Sequence, residues 1–406
     1  MKIMSTRLAA PGLAALAGAL ILSGCVKNDE GASTTIKVTS SADACDVAEA
    51  TAESGTVRFD VENTGDKVTE FYVLAEDGLS IVGEVENIAA GASRDLTVQL
   101  QPGDYYTVCK PGMVGEGVGK ADFSVTGKEL EVSENEQEAI DTAVANYTAY
   151  TKTQIGELVT GVKNFTDAYK AGNDDEARRL FPLARINYER VEPTAEQFGD
   201  LDPKIDYRKP GAEAEGLPFT GFHRIEMDLW IDQAKANYPG EDITPLDAAG
   251  RAEVADQLVA DVQALYDEVH ADDFELTIDN ITNGAIGLLD EVAAPDGKLP
   301  GEEDEFSHTD LYDFYANVEG AEVAYNAVRE IAESKGDDGA DLVAELDEQF
   351  AAMKDLLATY GSYESGFVSY DTVDQDKRNE LGAQLSALSE PLSQLTHTVL
   401  GVDPAE

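Results

Sequence analysis

The chain has 406 residues, enough for two or three domains, and its 80 acidic residues exceed its 29 basic residues by 51. Because like charges repel, nucleic acids and anionic lipid head groups are unfavourable partners, and we expect no nucleic-acid function. The hydrophobic content of 43% is too high for a disordered chain and indicates folded domains.

The first 24 residues have the pattern of a secretory leader. Two basic residues precede an uncharged apolar run over residues 8–22, which has the length of a signal-peptide core. The run ends in Leu-Ser-Gly-Cys25, which resembles a bacterial lipobox. We therefore expect export and lipid attachment at Cys25, with an ordinary leader and a chance cysteine as the alternative. Residues 25–35 would be a polar tether to the membrane, outside the cytoplasm, at a cell surface or in a periplasm.

Residues 36–127 carry the pattern of short strands. Alternating or β-branched runs such as Thr56–Val61 and Glu70–Leu74 are separated by turn signals such as Asn63–Asp66. Regular short strands with such turns predict an all-β sandwich or barrel.

Residues 131–406 change to a helical period, which predicts an all-α helical bundle. A capping pattern at 133–136 predicts a first helix that ends at Tyr150. Loops with proline and glycine separate further helices, which are predicted at 152–171, 174–199, 221–236, 245–271, 279–293, 308–335, 338–361 and 374–400.

The helix predicted at Gly221–Trp230 is the most informative segment. On a helical wheel Arg224 and Asp228 share a stripe that suits an exposed, ion-paired face, whereas Glu226 points to the other side. An inward carboxylate is costly unless it is paired or binds a metal, and His223 precedes it by one helical turn. This spacing suits a helical-bundle metal site, and a buried His–Glu hydrogen bond is an equal alternative. His270 has the same spacing to an acidic residue, so the pattern alone is weak.

Three segments of the helical region resemble the imelysin-like, peptidase-type family. They are Gly-Phe-His-Arg-Ile-Glu at 221–226, Tyr-Glu-Arg-Val-Glu-Pro at 188–193 and Ser-His-Thr-Asp-Leu-Tyr-Asp-Phe at 307–314. The resemblance implies a metal held by His223 and Glu226.

Four further acidic residues are candidates for a third ligand of that metal. Glu189 and Glu192 are the first choice, and ion pairing to neighbouring arginines is their alternative role. Asp310 and Asp313 are weaker candidates, and Asp310 could instead close a capping box with Ser307. Imidazole with carboxylates accepts Fe(II), Zn(II) or Mn(II), oxygen-rich versions favour Fe(III), and zinc or copper would compete.

The strand region has a second candidate site. The segment 107–113 resembles the copper loop of cupredoxins, but residues 36–127 contain no histidine, so the two histidine ligands of a blue-copper centre are missing from this region. In the family of iron-uptake components that the whole chain resembles, described below, such positions are taken as a second metal site, so Cys45, Glu70 and Cys109, with Met113, are candidate ligands. The alternative is a Cys45–Cys109 disulfide, which an oxidising compartment favours, with Glu70 exposed.

A cupredoxin-like domain in front of an imelysin-like domain resembles a family of extracytoplasmic iron-uptake components. The resemblance implies an iron-binding transport protein, not an enzyme, that works with a membrane iron permease and a haem-dependent peroxidase-like protein. A zinc peptidase is an alternative, although the sequence lacks His-Glu-x-x-His. A polysaccharide-binding surface lipoprotein is another, which the acidic surface disfavours for anionic glycans.

Overall fold

The computed structural model describes residues 34–79, 81–112, 117–128, 136–272, 274–293 and 298–400. The predicted leader, Cys25, Met113 and nearly all of the tether lie outside these ranges. Within them, no helix combines the length and the apolar character needed to cross a membrane.

The described part of the N-terminal region is an all-β sandwich, as predicted. Its strands are β1 (Thr34–Ser40), β2 (Cys45–Val47), β3 (Thr51–Glu53), β4 (Gly55–Asn63), β5 (Thr69–Leu74), β6 (Ile81–Ile88), β7 (Ser93–Leu100), β8 (Gly103–Cys109) and β9 (Val118–Thr126). One sheet has the order β2-β1-β4-β7 and the other β3-β9-β8-β5-β6. The β1–β4 and β3–β9 pairs are parallel, and the other pairs are antiparallel.

The sandwich core follows from alternation along the strands. Val57, Phe59 and Val61 of β4 are fully buried because successive side chains of a strand point to opposite faces. The Phe59 ring lies 5.2 Å from Phe71 of the facing sheet and 5.5 Å from Phe123, measured between ring centroids. These aromatic contacts between β4 and the facing sheet close the sandwich.

The described chain from residue 136 onward is mainly helical, which confirms the predicted all-α fold of this region. The helices are α1 (Glu136–Lys170), α2 (Asp174–Glu189), α3 (Asp202–Asp206), α4 (Lys209–Glu215), α5 (Gly221–Leu229), α6 (Ile231–Asn237), α7 (Ala248–Val269), α8 (Ile278–Ala293), α9 (Asp310–Glu333), α10 (Asp337–Ala358), α11 (Gln375–Leu392) and α12 (Leu395–Leu400). Short 3-10 helices cover Glu192–Leu201 and Tyr370–Thr372.

Several predicted boundaries were wrong for identifiable reasons. The two helices predicted before residue 171 are one helix of 35 residues, because no glycine or proline interrupts the buried stretch around Tyr150. The helix predicted to run to residue 199 stops at Glu189, and a 3-10 segment with proline near its start follows. A small hairpin, Gly361–Ser362 with Gly366–Phe367, lies where no strand was predicted.

The two domains are packed against each other. Tyr72 and Val108, on the outer face of the five-stranded sheet, belong to the same buried apolar cluster as the core of the helical domain. At the edge of this contact the Lys110 ammonium lies 2.8 Å from the Glu157 carboxylate of α1. The contact fixes the sandwich on α1.

Candidate metal centre

The segment that carries His223 begins with a close backbone approach. Gly221 has φ 78°, and a Cβ placed on it would lie 2.1 Å from the carbonyl oxygen of Ile205. Only glycine fits both conditions, so this residue allows the start of α5 to touch the end of α3. The contact brings His223 beside Asp206, the last residue of α3.

The prediction that Glu226 points inward is confirmed, because its exposure is 0%. The predicted exposed stripe is wrong at Asp228, whose side chain is buried. Its carboxylate accepts hydrogen bonds from the Tyr169 hydroxyl and the Leu246 backbone, both at 2.7 Å, and pairs with Arg251 at 3.0 Å. Asp228 therefore connects α5 to α1 and α7.

Glu226 holds one nitrogen of the His223 ring. Glu226 Oε2 lies 3.0 Å from His223 Nδ1. Glu226 Oε1 accepts the backbone N–H groups of Phe306 and Ser307 at 3.0 and 2.7 Å. Both carboxylate oxygens are therefore engaged, and the imidazole is fixed in one orientation.

The other ring nitrogen faces two carboxylates. His223 Nε2 lies 3.4 Å from Glu303 Oε1 and 3.6 Å from Asp206 Oδ1. It is buried and makes no hydrogen bond within the described part of the chain. Asp206, His223 and Glu303 offer ligand atoms within 4.8 Å of one another, and so do His223, Glu226 and Asp304. Each set could hold a metal ion.

A fully buried arginine lies among these carboxylates. The Arg185 guanidinium makes short ion pairs with Asp206 and Glu189. It also lies 3.3 Å from Glu303, 3.2 Å from Asp313 and 3.8 Å from Asp304. Arg185 thus neutralises part of a dense cluster of negative charge that would otherwise be costly to bury.

The structure does not bring Glu189 and Glu192 to His223, contrary to the prediction. Instead both carboxylates lie 3.2 Å from the ammonium of Lys298, which is 1% exposed. Glu189 also pairs with Arg185, and Asn317 donates to both carboxylates. These two residues are therefore ion-paired neighbours of the candidate centre.

Asp310 and Asp313 also lie outside both sets of possible ligands. They are fully buried in the first turn of α9, where the helix N-terminus favours negative charge. Asp313 pairs with Arg185, and Asp310 accepts the backbone N–H of Asp304 at 3.3 Å. The hydroxyl of Ser307 bonds to that of Thr309, so the predicted capping box with Asp310 does not form.

The charged groups shift one another's pKa. Burial and the Arg185 guanidinium lower the pKa of His223, but Glu226, Glu303 and Asp206 outweigh them and raise it to about 9. Burial raises the pKa of Asp206 to about 6, although Arg185 and His223 oppose this. Burial would also raise the pKa of Glu303, but Lys298 and His223 hold it well below its usual range. At neutral pH the imidazole of His223 is therefore protonated.

A cleft of about 310 Å³ lies beside the two carboxylates that face Nε2 of His223. Asp206 and Glu303 lie in its wall, together with Glu192, Asp202 and Arg208. A mostly acidic wall attracts cations and repels anions. The cleft gives the carboxylates of Asp206 and Glu303 a route to solvent.

The predicted second metal site in the sandwich is not formed. Cys45 and Cys109 are joined in a disulfide, so neither offers a thiolate to a metal. Glu70 is 5% exposed and accepts the Tyr72 hydroxyl at 2.7 Å, so the alternative of an exposed Glu70 was wrong as well. Met113 lies outside the described residues.

Sequence reasoning missed three of the acidic residues around His223: Asp206, Glu303 and Asp304. Glu303 and Asp304 belong to the acidic run 302–305, just before the Ser-His segment that was recognised, and that position was a usable signal. Asp206 is one of 80 acidic residues and carried no distinguishing pattern.

Comparison with known proteins agrees with this two-domain architecture. The imelysin family matches residues 143–395, and the cupredoxin-like domain family matches residues 12–118. The iron uptake system component EfeO of Escherichia coli O157:H7 is 35% identical over 376 residues, which cover 91% of this chain and 92% of that protein. The proteins of the same name from E. coli K12 and Shigella flexneri match equally well.

A solved structure of an imelysin-like protein from Psychrobacter arcticum 273-4 aligns with a TM-score of 0.47 and 10% identity, over 68% of this chain and all of that one. A cupredoxin-like sandwich joined to an imelysin helical domain defines a class of two-domain proteins. The chain belongs to the EfeO family within that class, as its identity to these relatives over most of both lengths shows.

Proposed function

We propose that this protein is the extracytoplasmic, lipid-anchored iron-binding component of an iron uptake system. It captures iron, as Fe(II) or Fe(III), and passes it to a membrane iron permease. A haem-dependent peroxidase-like protein is its second partner. The relatives' name, iron uptake system component, supports the iron cargo. The leader-like residues 1–24 with Cys25 support export and anchoring.

The cargo site that we propose uses Nε2 of His223 with the carboxylates of Asp206 and Glu303. The observation that carries this proposal is the buried Nε2, which lacks a hydrogen bond among the described residues while two carboxylates face it at 3.4 and 3.6 Å. Glu226 then acts on the opposite nitrogen, as an orienting carboxylate behind a metal-binding histidine. A metal held between Nδ1, Glu226 and Asp304 is the competing arrangement.

The chemistry of this donor set suits a transported ion. One imidazole and two carboxylates accept Fe(II), and they leave coordination positions open for water or for a receiving group. A site with few protein ligands can release its ion. Zinc and copper would compete for these ligands, so selectivity for iron must depend on which metal ions are available as well as on the ligands.

A peptidase function is less well supported. Metal-dependent hydrolysis needs a carboxylate that is free to take a proton from a bound water. Glu226 is already bound to His223 and to two backbone N–H groups, so it is poorly placed for that task. The relatives are also named for iron uptake and not for proteolysis.

The test is anaerobic calorimetric titration of residues 26–406 with Fe(II), followed by Fe(III). We expect binding that is lost in His223→Asn. The matched control is His270→Asn, because His270 has the same sequence spacing to an acidic residue but is exposed at the end of α7, stacked 4.0 Å from the Tyr266 ring. Absence of binding in the unmodified protein, or equal loss in both variants, would refute the proposal.

A further inference from the structure

The atoms that face His223 Nε2 are already in contact with Arg185. Asp206 Oδ1 lies 3.6 Å from Nε2 and also forms the short ion pair with Arg185 Nη1. Glu303 Oε1 lies 3.4 Å from Nε2 and 3.3 Å from Arg185 Nη2. Any cation that bound at Nε2 would therefore have to share both oxygens with the guanidinium.

The guanidinium has other acceptors on its remaining edges. Its Nη2 group pairs with Glu189, and its Nε lies 3.2 Å from Asp313 and 3.8 Å from Asp304. The rings of Phe222 and Phe181 lie 5.4 and 5.8 Å from the guanidinium carbon, and they keep it inside the cluster. A small movement could thus shift the positive charge from the Nε2 side toward Glu189 and Asp313 without exposing it to water.

We propose that Arg185 is a displaceable counter-cation of the metal cargo. Before a metal binds, it holds Asp206 and Glu303 in place. When the metal binds, the guanidinium is repelled toward Glu189 and Asp313, and when the metal leaves it returns. This inference rests on the proposed cargo site.

The expected consequence is weaker binding and faster release. The metal and the guanidinium compete for the same two oxygens, and two cations a few ångströms apart repel strongly in a buried site. Arg185 therefore lowers the affinity from what the three ligands alone would give. A transport protein that must give up its ion would benefit from such an internal competitor.

The experiment measures Fe(II) affinity and the rate at which a ferrous chelator removes Fe(II) from residues 26–406 under anaerobic conditions. The main variant is Arg185→Gln/Asp313→Asn, which removes the guanidinium together with one of its carboxylates and so limits the unpaired buried charge. We expect release to slow by about tenfold or more. Asp313→Asn alone should act in the opposite direction, because an amide attracts the displaced guanidinium less strongly than a carboxylate does.

A purely structural role for Arg185 predicts a different pattern. If Arg185 only organises the carboxylates, the double variant binds Fe(II) equally or more weakly than the unmodified protein, and this would overturn the inference. If the double variant does not fold, Asp313→Asn decides, and unchanged or tighter binding in it would overturn the inference. If the unmodified protein binds no iron, the proposed function fails and the inference falls with it. Tight binding with unchanged release in every variant would refute the inference alone.

Discussion

Gly221 and Ile205 touch through their backbones, with no room for a side chain between them. The carbonyl oxygen of Ile205 would lie 2.1 Å from a Cβ on Gly221, and Gly221 also has a positive φ. This contact sets the distance between α3, which carries Asp206, and α5, which carries His223. The candidate centre therefore depends on a residue that has no side chain of its own.

The first prediction follows from this contact. Gly221→Ala should lower the free energy of unfolding by about 2 kcal/mol or more, because the methyl group forces the two segments apart and φ becomes strained. Fe(II) affinity should fall as well, since Asp206 moves away from His223. Chemical denaturation and calorimetry would measure both effects. Gly172→Ala is the control, because Gly172 also has a positive φ but no atom lies within 4 Å of a Cβ placed on it. The Gly172→Ala variant should therefore lose stability and keep its Fe(II) affinity.

The second prediction separates the two possible metal positions. Glu226→Gln should weaken Fe(II) binding by roughly 10-fold to 100-fold, the usual effect of losing a carboxylate that orients a metal-binding histidine. Asp206→Asn and Glu303→Gln should weaken it at least as much. If Glu226→Gln abolishes binding while the other two variants bind normally, the ion lies on the Nδ1 side of the ring. Circular dichroism would verify that each variant is folded.

The third prediction concerns protons. The pKa of His223 is raised to about 9, so the imidazole is protonated at pH 7.5 and must lose that proton before Nε2 can bind a metal. Fe(II) binding at pH 7.5 should therefore release about one proton, and affinity should rise about tenfold per pH unit until pH nears 9. A histidine with the ordinary pKa would release only about a tenth of a proton at this pH. Calorimetry in two buffers with different ionisation enthalpies measures the number directly.

The fourth prediction concerns the disulfide. Cys45 and Cys109 are 64 residues apart, and closing a loop of that length stabilises a folded chain by about 4 kcal/mol in the chain-entropy model. Cys45→Ser/Cys109→Ser should lower the free energy of unfolding by about that amount and leave Fe(II) affinity unchanged. If this variant is still folded but no longer binds iron, the hypothesis of a metal site in the sandwich would be supported instead.

Patterns along the sequence were enough to predict the two-part architecture. Alternation in β4 and the helical period after residue 131 predicted a sandwich followed by a bundle, because burial of one face imposes its period directly on the sequence. The same argument placed Glu226 inside the fold. It failed for Asp228, because a buried ion pair with Arg251 allows a charged residue to occupy an apolar position.

The candidate centre was harder to predict, because its parts come from distant segments. His223 could be found from a local motif, but Asp206 and Glu303 reach it only through the packing of α3 and of the segment before α9. Glu189 and Glu192 were reasonable candidates by sequence. Lys298, more than 100 residues away, pairs with them instead, and no local pattern could indicate that partner.

The apolar contact between the sandwich and α1 has a further consequence. Tyr72 and Val108 belong to the same continuous apolar core as the helical bundle, so each domain needs the other to bury part of its apolar surface. An isolated helical fragment would expose the apolar surface that the sandwich covers. An isolated sandwich would expose the apolar side chains that pack against the helices. The two halves should therefore melt together in a single endotherm, and truncation would be a poor way to assign activities to them.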